Sequence, residues 1–253
     1  MSHSHDTTGA GPAAAARSLL SLAALALTGC ALATCLFFPQ PLQVAGDYAV
    51  FLLLGVAGAI FANATGAGGG VVFLPAFSQL GFTETQAVAT SFAIQCFGMA
   101  TGATAWSLHY RRNRRGETDW QAFIPVIVLC TVFSVAGLWT AYGMDWRPPA
   151  GVKPLFGGFS LLLGVAVLTT TLLFGAGGTH RLDRVDVVAL AAIASLGGIV
   201  TAWLSVGVGE FVAIYLILRR FDVTLSVASA VVISALTVWS AAPEHVLLSP
   251  AVY

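Results

Sequence analysis

Residues 66–70 read Gly-Ala-Gly-Gly-Gly, four glycines in five positions, inside a stretch from Tyr48 to Leu80 that carries no charged residue. An interior glycine costs a helix about 1 kcal/mol relative to alanine and opens the backbone to positive φ, so no helix runs unbroken through this stretch. In water such a break would be an ordinary loop. In hydrocarbon every backbone amide and carbonyl needs a partner, and irregular backbone survives only where it is buried in protein or lines a polar cavity. Residues 71–80 (VVFLPAFSQL) are therefore expected to form a half-helix whose first amides point, unpaired, back at the glycine turn. Free N–H groups at the positive end of a helix attract anions, and broken helices of this kind build the substrate sites of many secondary transporters. The stretch predicts an anion site near the membrane midplane.

The hydrocarbon setting follows from how little charge there is. Only 9% of the 253 residues are charged, against about 25% in soluble domains, and the connections are too short to hold a soluble enzyme domain. Apolar runs of spanning length fall at 18–38, 86–110, 121–143, 154–174 and 224–242, with 187–204 breaking at Ser205-Val-Gly-Val-Gly-Glu210 before a short helix 211–218. Residues 1–17 read as a disordered cytoplasmic N-terminus and 243–253 as a C-terminal tail. Trp106, Trp120, Trp139 and Trp146 lie near span ends, where an interfacial aromatic belt would place them. Cys30, Cys35, Cys96 and Cys130 show neither a CxxC nor a metal-ligand spacing. No metal, cofactor or nucleic-acid partner is expected, and the lipid bilayer is the surrounding medium.

The two breaks are related. A shift of 139 residues lays Gly68 on Gly207, Gly70 on Gly209, Phe82 on Phe221, Thr85 on Thr224, Val88 on Val227 and Ala89 on Ala228. The same shift lays 18–38 over 157–177. The chain thus reads as two repeats of span, broken segment and span, cores 48–110 and 154–242, joined by a connector at 121–143. Charge indicates how the broken segments run. If each crossed the membrane once, the Lys and Arg residues would divide five to six. If each dips in and returns, Arg17, Arg111, Arg112, Arg114, Arg115, Arg181, Arg184, Arg219 and Arg220 share one side and only Arg147 and Lys153 the other. The positive-inside bias selects the second arrangement, with the nine-residue side cytoplasmic. An odd number of crossings then separates the repeats, which makes them inverted. The expected fold is all-α: a polytopic integral membrane protein with inverted repeats and two glycine-broken, re-entrant helical segments.

With GAGGGVVFLPAF, the following AVATSF and the loop RRGETDW, the chain resembles the sulfite exporter TauE/SafE family of small bacterial and plant anion transporters. SVGVGE is similar to that family's repeated glycine motif, more loosely, and the resemblance runs from about residue 48 to 242. It implies proton-coupled export or uptake of small sulfur anions such as sulfite, thiosulfate or organosulfonates, in a multi-pass protein of the bacterial inner membrane, with homo-oligomerisation left open. Members of the family usually carry two more spans beyond the position of Val238, whereas this sequence stops at Tyr253.

The residues themselves rank the candidates. Gly66, Gly68, Gly69, Gly70, Ser205, Gly207 and Gly209 are expected to present the substrate-binding backbone. Their alternative role is close helix packing, since small residues let membrane helices approach. Ser91 and Gln95, in the helix after the first break, are expected to face the substrate. A serine can also bond within its own helix; the longer Gln95 amide is harder to hide in lipid. Glu210 is a carboxylate with apolar sequence on both sides, and an ionisable group inside a membrane is a functional candidate by default. Desolvation favours its neutral form, so Glu210 is expected to carry the coupled proton. A sulfur-relay protein using Cys96 or Cys130 as a transient thiol is the alternative function; replacing all four cysteines separates the two.

Overall fold

The computed structural model describes residues Leu25, Gly29, Ala33, 40–149, 151–173 and 181–248. The expected N-terminal tail, nearly all of the first span and the last five residues lie outside them. Among the described residues every regular element is helical, as the composition requires. Chain contacts divide Met1–Leu53 from Leu54–Tyr253. The first unit holds α1 (Pro41–Asp47) and the opening of α2 (Ala49–Thr65). The second continues through α3 (Gly70–Gln79), α4 (Glu84–His109), α5 (Phe123–Gly143), α6 (Val152–Leu173), α7 (Arg184–Leu204), α8 (Val208–Leu218) and α9 (Val223–Ala242). A π-helical turn, Tyr110–Arg114, and a short 3₁₀ turn, Thr118–Trp120, link α4 to α5. Among the described residues three stretches, Thr118–Gly143, Arg184–Leu204 and Val223–His245, are long and apolar enough to cross a membrane.

The repeat seen in the sequence holds at the level of single backbone residues. α2 ends at Thr65 and α7 at Leu204, which the 139-residue shift superposes. The next residue is left-handed in both, Gly66 at φ 76° and Ser205 at φ 58°. After the half-helices, Gly81 at φ 82° matches Arg220 at φ 63°. The following amides close equivalent turns, Phe82 N–H to the Phe77 carbonyl and Phe221 N–H to the Leu216 carbonyl, at 3.1 and 3.0 Å. This is the six-to-one bond that commonly ends a helix on a left-handed residue. Thr83 and Asp222, also equivalent, then cap α4 and α9 through their side-chain oxygens. Glycine makes the left-handed turns cheap in the first repeat; the second holds Ser205 and Arg220 there, at a cost of about 1–2 kcal/mol each.

Packing fixes how the helices around the two breaks run. α4 and α9 run antiparallel: Trp239 Nε1 donates to the Cys96 carbonyl, Met99 packs with Val231 and Ala235, and Phe92 stacks on His245. These two helices are repeat equivalents, so the repeats are inverted. α5 and α7 also run antiparallel, the Cα of Gly137 against the Ser195 carbonyl and that of Gly198 against the Ser134 carbonyl, leaving no room for a Cβ on either glycine. Such small-residue contacts let membrane helices approach closely.

Both broken segments return to the end from which they enter. α8 leaves the second break with Val208 against Gly197 of α7. It finishes with Arg219 bonded to Asp186 and Asp183 at the start of α7, at 2.6 and 3.0 Å. Tyr215 donates to the same Asp186 carboxylate, which is fully buried. In the first repeat, Ala59 and Asn63 of α2 lie beside Gly98 and Gly102 of α4 in the same direction, while α3 leads back to the residues where α4 begins. The end holding Arg219 also holds Tyr110, Trp120, Leu182 and Phe221 in one cluster, with Arg114 over the Trp120 ring. At the opposite end Trp203 donates to the Trp146 carbonyl and the Val152 amide to Glu84. The basic loops therefore gather at one end of the molecule, and Arg147 and Lys153 lie toward the other.

Two expectations change. Trp120 is no interfacial belt residue: it is 2% exposed and packs against Tyr110 and Phe123, because the 3₁₀ turn folds it inward over the helix ends. The second half-helix starts at Val208 rather than residue 211, so Glu210 is its third residue and not its lead-in.

Candidate anion site

The two glycine turns cross each other. A Cβ on Gly70 would lie 3.0 Å from the Leu204 carbonyl oxygen and 3.2 Å from that of Ser205. Its equivalent on Gly209 would lie 2.6 Å from the Gly66 carbonyl oxygen. Gly66 and Ser205 are themselves equivalent, so the same contact is made twice, once from each side, as a pseudo-two-fold axis between inverted repeats demands. A Cβ on Gly68 would also meet Val206 Cγ1 at 3.1 Å and Gln95 Oε1 at 3.2 Å. The glycines are there because backbone passes against backbone.

The polar groups at the crossing come from both halves of the chain. Glu210 reaches back with both carboxylate oxygens. Oε1 accepts from the Gly68 amide at 2.7 Å and Oε2 from the Gly207 amide at 2.9 Å. Gly68 and Gly207 are repeat equivalents, so one carboxylate bridges the matching amide of each turn. The bond to Gly207 is the return half of a capping box, a third-position glutamate reaching the N-cap amide; the bond to Gly68 crosses to the other repeat. Short bonds from backbone N–H to a carboxylate are of the stronger, charge-assisted kind. Glu210 is 3% exposed.

Gln95 of α4 makes the second brace. Its Oε1 accepts from the Gly69 amide at 2.9 Å, and its Nε2 donates to Ser91 Oγ, the Ser205 carbonyl and Ser205 Oγ at 2.9, 3.0 and 2.6 Å. A primary amide has two N–H groups, so the two Ser205 oxygens share one. The Val208 amide is taken by Thr201 Oγ1 at 3.1 Å.

The ten residues expected at the anion site are thus brought to one place. Gly66 and Ser205 turn the chain, Gly68 and Gly207 hold Glu210, Gly69 holds Gln95, Ser91 supports it, and Gly70 and Gly209, the first residue of α3 and the second of α8, pack against the opposing turn. The expectation of unpaired amides is corrected: the Val71, Val72 and Phe73 amides bond to the Gly68 and Gly69 carbonyls, and the Gly68 and Gly69 amides have side-chain acceptors, supplied by Glu210 and Gln95. Two contributors were not foreseen. Thr201 lies in an ordinary apolar span. Ser234 occupies the place of Gln95 in the second repeat, and the 139-residue shift points to it directly. Cys130, by contrast, is sealed in the apolar cluster of α5, α7 and α8 with Phe123, Leu190 and Val212.

Inverted repeats and crossed half-helices among apolar helices define an all-α integral membrane protein. The sequence model of the family described as Sulfite exporter TauE/SafE matches residues 50–252, and the chain belongs to that family. No curated protein and no solved structure matches it.

Proposed function

We propose that the protein is a proton-coupled secondary transporter of small sulfur oxyanions, such as sulfite, thiosulfate or organosulfonates, in the bacterial inner membrane, and that the crossing of the glycine turns is its anion site. The observation that carries this reading is the Glu210 carboxylate on the Gly68 and Gly207 amides: at the pseudo-two-fold centre the protein binds one oxyanion, its own. Successive amides of a turn make a concavity that favours anions, and the membrane interior offers few competing partners.

Proton coupling follows from charge. Two unit negative charges 4 Å apart repel by about 4 kcal/mol at an effective dielectric of 20, more than the 0.3–2 kcal/mol, roughly, that a helix N-terminus returns. A substrate anion arriving beside Glu210 therefore brings a proton with it, and Glu210 is the residue that takes it. The basic end of the molecule faces the cytoplasm by the positive-inside bias, and both half-helices lead from the crossing to opposite ends.

The test is transport in sealed vesicles holding the purified protein, with sulfite, thiosulfate and methanesulfonate offered under an imposed pH gradient. Accumulation of at least one of them, driven by the gradient, is expected. If none moves faster than in protein-free vesicles, the reading is wrong.

A further inference from the structure

A carboxylate offers two oxygens, and the crossing holds two, on Gly68 and Gly207. Sulfite and sulfonates carry three terminal oxygens on a pyramidal or tetrahedral sulfur. If two of them take the places of Oε1 and Oε2, the third stands out of that plane and needs a partner of its own. Most polar groups of the crossing are committed. Gln95 spends its carbonyl on Gly69 and its amide on Ser91 and Ser205. Thr201 accepts from Val208 and donates to the Gly197 carbonyl.

Ser234 is the exception. The residue is 4% exposed, its Oγ has no hydrogen-bond partner among the described residues, and that Oγ lies directly over the Cα of Gly209, where a Cβ would collide with it. Gly209 is the residue before Glu210, at the second position of α8. In the inverted repeat Ser234 stands where Gln95 stands in the first, and Gln95 fills its side of the crossing with a side chain three heavy atoms larger. Thr131, Ser160 and Ser229 also hold buried hydroxyls without a partner among the described residues, at a cost in stability; what sets Ser234 apart is its place over Gly209 at the crossing.

We propose that Ser234 is a substrate-contact residue, its hydroxyl serving the third oxygen of a sulfur oxyanion whose other two oxygens occupy the Gly68 and Gly207 amides. This rests on the crossing being the anion site and adds what the site selects: three-oxygen anions over two-oxygen carboxylates. Ser234 acts on specificity rather than on holding the fold together. Removing it therefore relieves the free protein of an orphaned hydroxyl.

The experiment measures the binding of methanesulfonate and of formate to full-length wild type and Ser234→Ala by calorimetry, alongside the thermal melting of each protein without ligand. Wild type is expected to bind methanesulfonate more tightly than formate, the two competing for one site. Ser234→Ala should bind methanesulfonate about tenfold more weakly, leave formate within about twofold, and melt no lower than wild type. Equal weakening of both anions, or of neither, overturns the role of Ser234 while leaving the anion site standing. Binding of neither anion by wild type overturns the anion site itself. Should Ser234→Ala not fold, the hydroxyl is structural and the proposal fails. Ser234→Thr, which keeps the hydroxyl, is expected to retain the preference for methanesulfonate.

Discussion

Replacing Gln95 with leucine keeps the side-chain volume and deletes every polar contact it makes. Two backbone groups then lose their acceptor or donor inside a buried crossing: the Gly69 amide and the Ser205 carbonyl. A buried polar group left without a partner costs about 1–3 kcal/mol, so the substitution should cost about 2–6 kcal/mol. The serine hydroxyls of Ser91 and Ser205 can turn to other acceptors and add little. For a chain of this size each kcal/mol lowers the melting temperature by about 2–4 °C, which sets a fall of about 4 °C as the least expected. The same bonds tie the first turn to the second, so transport should be lost while membrane insertion is retained. The assays are thermal melting in detergent and uptake into proteoliposomes. A Gln95→Leu protein that melts within about 2 °C of wild type and transports normally would show that Gln95 does not brace the crossing.

Three further outcomes follow from the packing. Gly70→Ala and Gly209→Ala should each cost about 1–3 kcal/mol by overpacking, with Val206→Ala partly rescuing Gly70→Ala because Val206 Cγ1 is the nearest atom to the new methyl; Gly157→Ala and Gly164→Ala, which face open space, should be neutral or stabilising in melting assays. Arg219→Met should lower the melting temperature more than Asp183→Asn, because it strips the guanidinium from the fully buried Asp186 whereas the Asp183 pair is half exposed and asparagine still caps α7. Single cysteines at Leu182 and Arg220, in a cysteine-free background, should be labelled by an impermeant reagent from the same side of the membrane and a cysteine at Asp145 from the other; labelling of Leu182 and Arg220 from opposite sides would show that α7 and α8 together cross.

Much of this arrangement was legible in the sequence because the repeat is written in residues whose backbone roles are narrow. Gly68 and Gly70 over Gly207 and Gly209 mark the breaks, and the charge division between loops marks the return of each broken segment. Gln95 and Glu210 stood out because few polar side chains of their size are placed in apolar sequence. What could not be read was pairing. Glu210 meets Gly68 across 142 residues of chain, and nothing local says that an acid in one turn will satisfy an amide in the other. The same limit hid Asp186: its neighbours Asp183 and Arg184 make it look like a loop acid, and only the return of α8 buries it against Arg219 and Tyr215. Trp120 was misplaced because tryptophan near a span end is compatible with both an interface and a covered helix end, and the 3₁₀ turn decides between them. Ser234 is unremarkable among the small residues of α9 until the inversion sets it opposite Gln95.

Glu210 occupies the crossing, and the proposed transport cycle makes it the carrier of the coupled proton. The decisive measurement is uptake of a sulfur oxyanion into proteoliposomes by wild type and Glu210→Gln, with and without a pH gradient. Glutamine keeps one acceptor for the two glycine amides and cannot change charge. Glu210→Gln should therefore exchange anion across the membrane in both conditions but no longer accumulate it when the gradient is imposed. Gradient-driven accumulation by Glu210→Gln at the wild-type level would contradict the account.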